Sequence, residues 1–359
     1  MNGSSAKKLT IAVTGMNARA DNPGPGLAVA RCLRESALHS RVVGLGYESL
    51  DPGLYHQDRV DAGYLLPYPS HGEDALLARL IELDEREHFD VLIPCLDAEI
   101  LSFARIEPEL NRMGIRTFMP GAAQLELRNK DRLAELGETA GLSVPKTVSV
   151  YQSSFFSSCQ TQGLNYPLMV KGLFYDAKLA YTQEQAIAAF HGIAGEWGVP
   201  VLAQQLIRGE EVNLAGVGDG SGGLPGAVMM KKRALTDKGK GWAGISIHDE
   251  ELLAAAKRFC STTKWRGGFE LEMLRDEAGG LHLIEINPRF PAWIYLTAGV
   301  GRNLPELLVR LAIGENPAPL SPAAAGVWFI RYAEEAIVTL AEFENMTVKG
   351  ETLRSGEQK

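Results

Sequence analysis

With 359 residues, of which 45% are hydrophobic and 22% charged, the composition is that of an ordinary soluble globular protein, long enough to call for two or three domains. A net charge of -8 argues against nucleic acid as a main partner, because phosphate backbones are bound by basic surfaces. Cys32, Cys95, Cys159 and Cys260 are too scattered for a zinc site or a disulfide framework. The apolar run at 9–13 is too short for a signal-peptide core or a membrane span, so no membrane association and a cytoplasmic location are expected.

In chain order, residues 9–13 read as a buried strand, 24–35 as a helix, 41–45 as a strand, 74–85 as a helix, and 90–94 and 115–119 as further strands. Short apolar runs separated by helices imply a doubly wound parallel sheet, assigned to residues 1–120. Such sheets bind ligands at the carboxyl ends of their strands. The loop Asn22-Pro-Gly-Pro-Gly26 lies there but lacks the third glycine of a dinucleotide fingerprint. Glu48, ending the second strand, keeps a ribose-binding reading open. Asp97 and Glu99 follow the 90–94 strand, where they suit either a substrate ammonium group or a plain solvated loop.

Further on, a helix is expected from an N-cap at Asn129 to Ala140, closed by Gly141. A short strand then ends at Lys171, an extended segment covers 199–207, and 211–217 pairs with 225–230 around a glycine-rich tip at 219–223. No GxxxxGK[ST] loop occurs anywhere. The most informative stretch is 268–289, two alternating segments flanking turn residues 276–280. Alternation places Glu270 and Glu272 on one face of the first strand, and Glu285, Asn287 and Arg289 on one face of the second. If these faces coincide, three carboxylates and an amide oxygen crowd together. Like charges across a sheet repel, and a hard divalent cation with oxygen ligands resolves that repulsion.

At these residues the chain resembles the ATP-grasp superfamily, nearest the branch of biotin carboxylase and the carbamoyl-phosphate synthetase large chain. The resemblance implies an α/β fold: an N-terminal doubly wound parallel-sheet domain (1–120), an ATP-grasp domain (121–318) with a small α+β lid at about 146–207 and an antiparallel-sheet subdomain, and a C-terminal extension (319–359). By that match Glu285, Asn287 and Glu272 bind magnesium, with manganese as a substitute. Lys130 and Lys171 bind the phosphates of ATP, and Gln204, Gln205, Leu206 and Ile207 form the hinge that reads adenine. Glu211 holds the ribose. The basic run Lys231, Lys232, Arg233, Lys238 and Lys240 either supplies compensating charge or is a solvated hairpin, and the resemblance makes Arg289, Lys171 and Arg233 the catalytic residues.

Two features depart from that family. The lid loop after Lys171 is bulky where the family has glycines, so Lys178 is expected to stand in for missing backbone donors. Trp293 lies where biotin carboxylases carry a glutamate base, which points to an organic substrate in place of bicarbonate. The implied chemistry joins a small carboxylate to an amine through an acyl phosphate, with ADP and phosphate released and Arg289 steadying the carboxylate. Competing readings are a nicotinamide-dependent oxidoreductase using the first glycine loop and an ATP-binding subunit without catalysis. The tail either completes the domain or mediates pairing, which would make a homodimer.

Overall fold

The computed structural model describes residues 8–130, 132–173, 176–237 and 239–352. The chain opens with β1 (Thr10–Val13), α1 (Gly26–Arg34), β2 (Arg41–Gly46), β3 (Ala62–Leu65), α2 (Glu73–Glu87), β4 (Val91–Ile93) and α3 (Ile100–Met113). The four strands are parallel, in the order β3-β2-β1-β4. Ile11, Val13, Val42, Val43, Val91 and Leu92 are all buried, as expected of a parallel sheet covered on both faces.

One expectation needs correcting here, and two elements were not anticipated. Residues 115–119 do not form a strand. Arg116 makes one isolated bridge to Val91, and the carbonyls of Thr117 and Met119 accept from the Arg266 guanidinium. The sheet gains β3 instead, and α3 fills an unassigned stretch. Its Ile100, Phe103, Ile106 and Leu110 are buried at helical spacing, and Gly114 closes it in the left-handed region.

Next come α4 (Ala122–Leu127), α5 (Leu133–Ala140), β5 (Thr147–Val150), β6 (Leu168–Lys171), β7 (Ala177–Ala180), α6 (Gln183–Trp197) and β8 (Val201–Gln205). The N-cap of α5 is Arg132, without a side-chain cap bond, so Asn129 does not start this helix. The Asn129 carbonyl instead accepts from the Arg132 amide. Gly141 closes α5 at φ 63° as expected. Strands β5 to β8 make an antiparallel sheet in the order β5-β8-β6-β7. Helix α6, capped by Thr182, packs Ala186, Ala189, Phe190 and Ile193 on one face of it, against Leu168, Val170, Val201 and Ala203.

The remainder comprises β9 (Gly209–Asp219), β10 (Gly226–Leu235), β11 (Gly241–Ile247), α7 (Glu250–Thr263), β12 (Arg266–Asp276), β13 (Leu281–Asn287), α8 (Tyr295–Gly299), α9 (Leu304–Ala312), β14 (Trp328–Ile330) and α10 (Leu340–Lys349). Six of these are sheet strands, ordered β13-β12-β9-β10-β11-β14. The 219–223 tip is closed on itself: Asp219 Oδ1 accepts from the amides of Ser221, Gly222 and Gly223. The β12–β13 turn is built the same way, on Asp276 Oδ1 and the amides of Ala278 and Gly280. β14 has three residues and pairs antiparallel with β11.

The chain forms two compact units. The first, Met1–Gln124, Asn213–Glu270 and Asn287–Lys359, holds the parallel sheet and a core in which α1, α8 and α9 bury Val29, Leu33, Leu296, Leu304 and Leu308. The second, Leu125–Val212 and Leu271–Ile286, holds α5, α6 and the β5–β8 sheet. Among the described residues no helix is long and apolar enough to cross a membrane.

Candidate nucleotide and metal site

In the second unit, the register of β6 on β8 pairs Met169 with Gln204 and Lys171 with Leu202, while β5 pairs Thr147 with Gln204. Directly opposed residues share a face. The face turned away from α6 therefore carries Lys171, Leu202, Met169, Gln204 and Thr147. Gln204 is buried and donates to Thr147 Oγ1 at 2.9 Å. The Gln205 amide donates to the Lys146 carbonyl at 2.8 Å. Half-buried Leu206 and Ile207 then lead into β9. Met169 and Leu202 were not anticipated. They make an apolar floor between an ammonium and an amide, and the alternation of Leu168-Met-Val-Lys171 carries that signal.

Lys171 is the electrostatic centre of this unit. Burial, then Lys130, lowers its pKa from the ordinary 10.5 to about 8, against an opposing pull from Glu285, Glu272 and Glu211. Lys130 Nζ lies 3.4 Å from Glu285 Oε1. Lys130 and three glutamates distant in sequence thus act on Lys171. Between about pH 8 and 10.5 the unfolded chain holds a proton at Lys171 that the folded chain lacks, so stability rises with pH across that window. Phosphates at Lys171 would reverse the shift. ATP binding just above pH 8 is therefore expected to take up a proton, read as a calorimetric enthalpy that depends on the buffer's ionisation heat. Buffer-independent heats would remove Lys171 from the phosphate site.

Lys178 is a correction. It pairs with Val170 and so lies on the α6 face, where a Cβ added at Gly192 would sit 3.3 Å from its Nζ. The register turns it away from the face that carries Lys171. Phe174 and Tyr175 of the same loop, and Lys238, lie outside the described residues.

In the first unit, Glu270 is buried and accepts from Asn213 Nδ2 (2.8 Å), Asn287 Nδ2 (2.9 Å) and Trp293 Nε1 (2.6 Å). The expected crowd of three carboxylates is therefore corrected: Glu270 is a structural acceptor held by N–H donors. It also orients Asn287. With the amide nitrogen on Glu270, the oxygen is the atom presented, and it accepts from Arg289 at 3.3 Å. Arg289 Nε and an Nη both donate to Asp97 Oδ2, at 2.8 and 2.5 Å. Asp97, for which the sequence left a substrate ammonium or a solvated loop open, is the partner of Arg289 here. Glu99 is also corrected. It is fully buried and accepts from Thr14 Oγ1, the Tyr47 hydroxyl and the amides of Cys95 and Leu96, so it serves the core. Burial raises the Glu99 pKa against those bonds. Trp293 is buried too, its indole N–H committed to Glu270. Arg233 is exposed where β10 loses its regular register with β11.

Magnesium takes oxygen ligands, commonly one or two carboxylates completed by substrate phosphates. Glu272 and Glu285, both acting on Lys171 within the second unit, are donors of that kind, so the residues present fit the ion. Among the described residues no three His, Cys, Asp or Glu side chains group into a closed metal cage. The glycine loop fits a dinucleotide poorly. A Cβ at Gly24 would meet Asn17 Oδ1 at 1.9 Å and one at Gly26 the Thr14 carbonyl at 1.9 Å, so these glycines serve close packing of the chain on itself. The Gly24 and Gly26 amides donate to the carbonyls of Asn17 and Gly15. Glu48 pairs with Arg19.

A parallel-sheet segment, a small antiparallel sheet ending in a lysine, and a paired acidic hairpin together define the ATP-grasp fold, and the chain has that fold. Residues 199–335 match the profile of a family described as ATP-grasp in the biosynthetic pathway with Ter operon. Among solved structures, the chain is similar to the biotin carboxylase domain of Hydrogenobacter thermophilus 2-oxoglutarate carboxylase, bound to MgADP and bicarbonate, at 16% identity and a TM-score of 0.65 over 86% of this chain and 70% of that one. It is likewise similar to the L-amino acid ligase of Bacillus licheniformis (17%, TM-score 0.63, 86% and 74%) and to an ADP complex of N5-carboxyaminoimidazole ribonucleotide synthetase (14%, TM-score 0.67, 88% and 80%). Among curated protein sequences, none matches the chain.

Proposed function

We propose that the protein is a magnesium- and ATP-dependent ligase that phosphorylates a small organic acid and passes the resulting acyl group to an amine, releasing ADP and phosphate. The observation that carries this is the charge cluster of the second unit, where Lys130, Lys171, Glu211, Glu272 and Glu285 converge electrostatically. Its two ammonium groups suit the phosphates of ATP, and the Met169–Leu202 floor beside Gln204 suits an adenine ring. Magnesium, when bound, supplies further neutralisation of phosphate charge. Glu272, Glu285 and Asn287 would hold it. Arg289, anchored by Asp97, would orient the acid, and its planar fork matches a carboxylate.

ATP with magnesium is expected to raise the melting temperature, whereas NAD is not. At a hundred times its dissociation constant a ligand adds about 2.7 kcal/mol, worth roughly 2–4 °C at this size. A shift with NAD and none with ATP would favour the oxidoreductase reading.

The solved structures that the chain is similar to include carboxylases, but Trp293, which by the sequence resemblance stands where biotin carboxylases carry a glutamate base, is buried and its N–H is committed to Glu270. Turnover is therefore expected to need neither bicarbonate nor biotin. ATP hydrolysis that appears in degassed buffer only when bicarbonate is added would overturn the organic-acid assignment.

A further inference from the structure

Within the first unit lies a cavity of about 220 Å³ that the nucleotide chemistry does not use. Its walls include Trp242, Trp293, Tyr295 and Phe329, and its charged groups are four arginines against one carboxylate, Glu334. Three of the arginines have carboxylate partners: Arg19 with Glu48, Arg31 with Glu35, and Arg59 with Asp58 and Glu334. Arg331 differs. Its Nε donates to the Gly241 carbonyl at 2.8 Å and its guanidinium lies 6.0 Å from the Phe329 ring centre, but no carboxylate is within ion-pair reach among the described residues. Burial alone lowers its pKa to about 10. Arg331 is half-buried, and a guanidinium has five N–H donors, so it has donors left with which to pair an anion.

We propose that this cavity binds a small organic acid with a planar apolar body, its carboxylate on Arg331 and its ring among Trp242, Trp293 and Tyr295. The polar ends of the walls are already occupied. Trp293 Nε1 donates to Glu270, and the Tyr295 hydroxyl bonds Glu35 while the Arg31 guanidinium covers its ring at 3.5 Å. Leu27, Pro52, Trp242, Leu296 and Phe329 add apolar wall beside the arginines, which suits a flat apolar body better than a polyol. Arg331 is held in place beforehand, because its own amide donates to the Trp242 carbonyl and so fixes it beside one of those walls. Size agrees as well: a cavity of about 150 Å³ accommodates benzene, so this one has room for a ring with a short acidic group. This acid is distinct from the one that Arg289 holds in the ligase reading, and its binding here does not rest on that reading.

The test is calorimetric titration of the full chain, without nucleotide, using benzoate and its uncharged isostere benzamide. Benzoate is expected to bind saturably, and benzamide at least tenfold more weakly. Arg331→Met should weaken benzoate at least tenfold, and so should Ala28→Phe, which keeps every charge and fills space at a wall residue. No saturable benzoate binding, equal affinity for benzamide, or unchanged binding in folded Arg331→Met would each overturn the proposal. Should that variant fail to show a melting transition, the benzoate–benzamide contrast in the unmodified chain decides. Benzoate binding in a protein that ATP does not stabilise would leave this site standing and remove the ligase.

Discussion

Glu285→Gln is expected to lower turnover by at least about 10²–10³-fold while the protein still folds. The argument starts from the pair it breaks. Glu285 is partly exposed and lies 3.4 Å from Lys130, so the lost ion pair costs only about 0.2–1 kcal/mol of stability. The functional loss is larger, because this carboxylate is one of two acidic oxygen donors that act on Lys171 from the β12–β13 hairpin. The substitution also has an electrostatic signature of its own. Glu285 supports the protonated form of Lys171, so its removal should lower the Lys171 pKa further below about 8. The pH at which proton uptake on ATP binding appears should then move down. Full turnover in Glu285→Gln, with the uptake profile unmoved, would take both magnesium and Lys171 away from this hairpin.

The parts of the site that were legible in the sequence are those where strand alternation alone determines which way a side chain points. Lys171 ends an apolar strand, and Glu272 and Glu285 alternate with Leu271, Met273, Ile284 and Ile286, so a hairpin with acidic positions follows from period two. What alternation does not reveal is what waits on the polar face. Glu270 has the same phase as Glu272, yet its partners are Asn213 and Trp293, 57 and 23 residues away. Only tertiary packing distinguishes a carboxylate bonded by three N–H groups from one facing lysines. Asp97 and Glu99 show the same limit, since Arg289 lies 192 residues from the first and Thr14 and Tyr47 close over the second. Lys178 turned on register: its neighbour in the lid sheet is Val170, and the face beneath Val170 is already filled by α6. In the fold, β3 was hidden by its brevity and a glycine at its second position, and α3 by the interior Pro108.

The second large effect concerns the activated acid. If the γ-phosphoryl group passes to a carboxylate, the product is a mixed anhydride, and hydroxylamine should intercept it when the natural amine is withheld. With the right acid, ATP and magnesium, a hydroxamate and ADP are expected in equal amounts, and AMP is not. Arg289 is the residue proposed to hold the acid. Its Nε and an Nη grip one oxygen of Asp97, which fixes the plane of the fork, and it follows Asn287 by two residues. Arg289→Lys keeps the charge but loses the fork, so hydroxamate formation should fall by about 10²–10³-fold, the usual cost of losing one electrostatic contact to a transition state. Asp97→Asn keeps the size of the anchor and weakens its grip. It should raise the KM for the acid while ATP binding, read by the thermal shift, stays unchanged. That split separates a residue that positions the acid from one that only supports the fold. Release of AMP and pyrophosphate would make the enzyme an adenylating one and end the acyl-phosphate mechanism. Unimpaired Arg289→Lys would leave the chemistry and remove Arg289 from it.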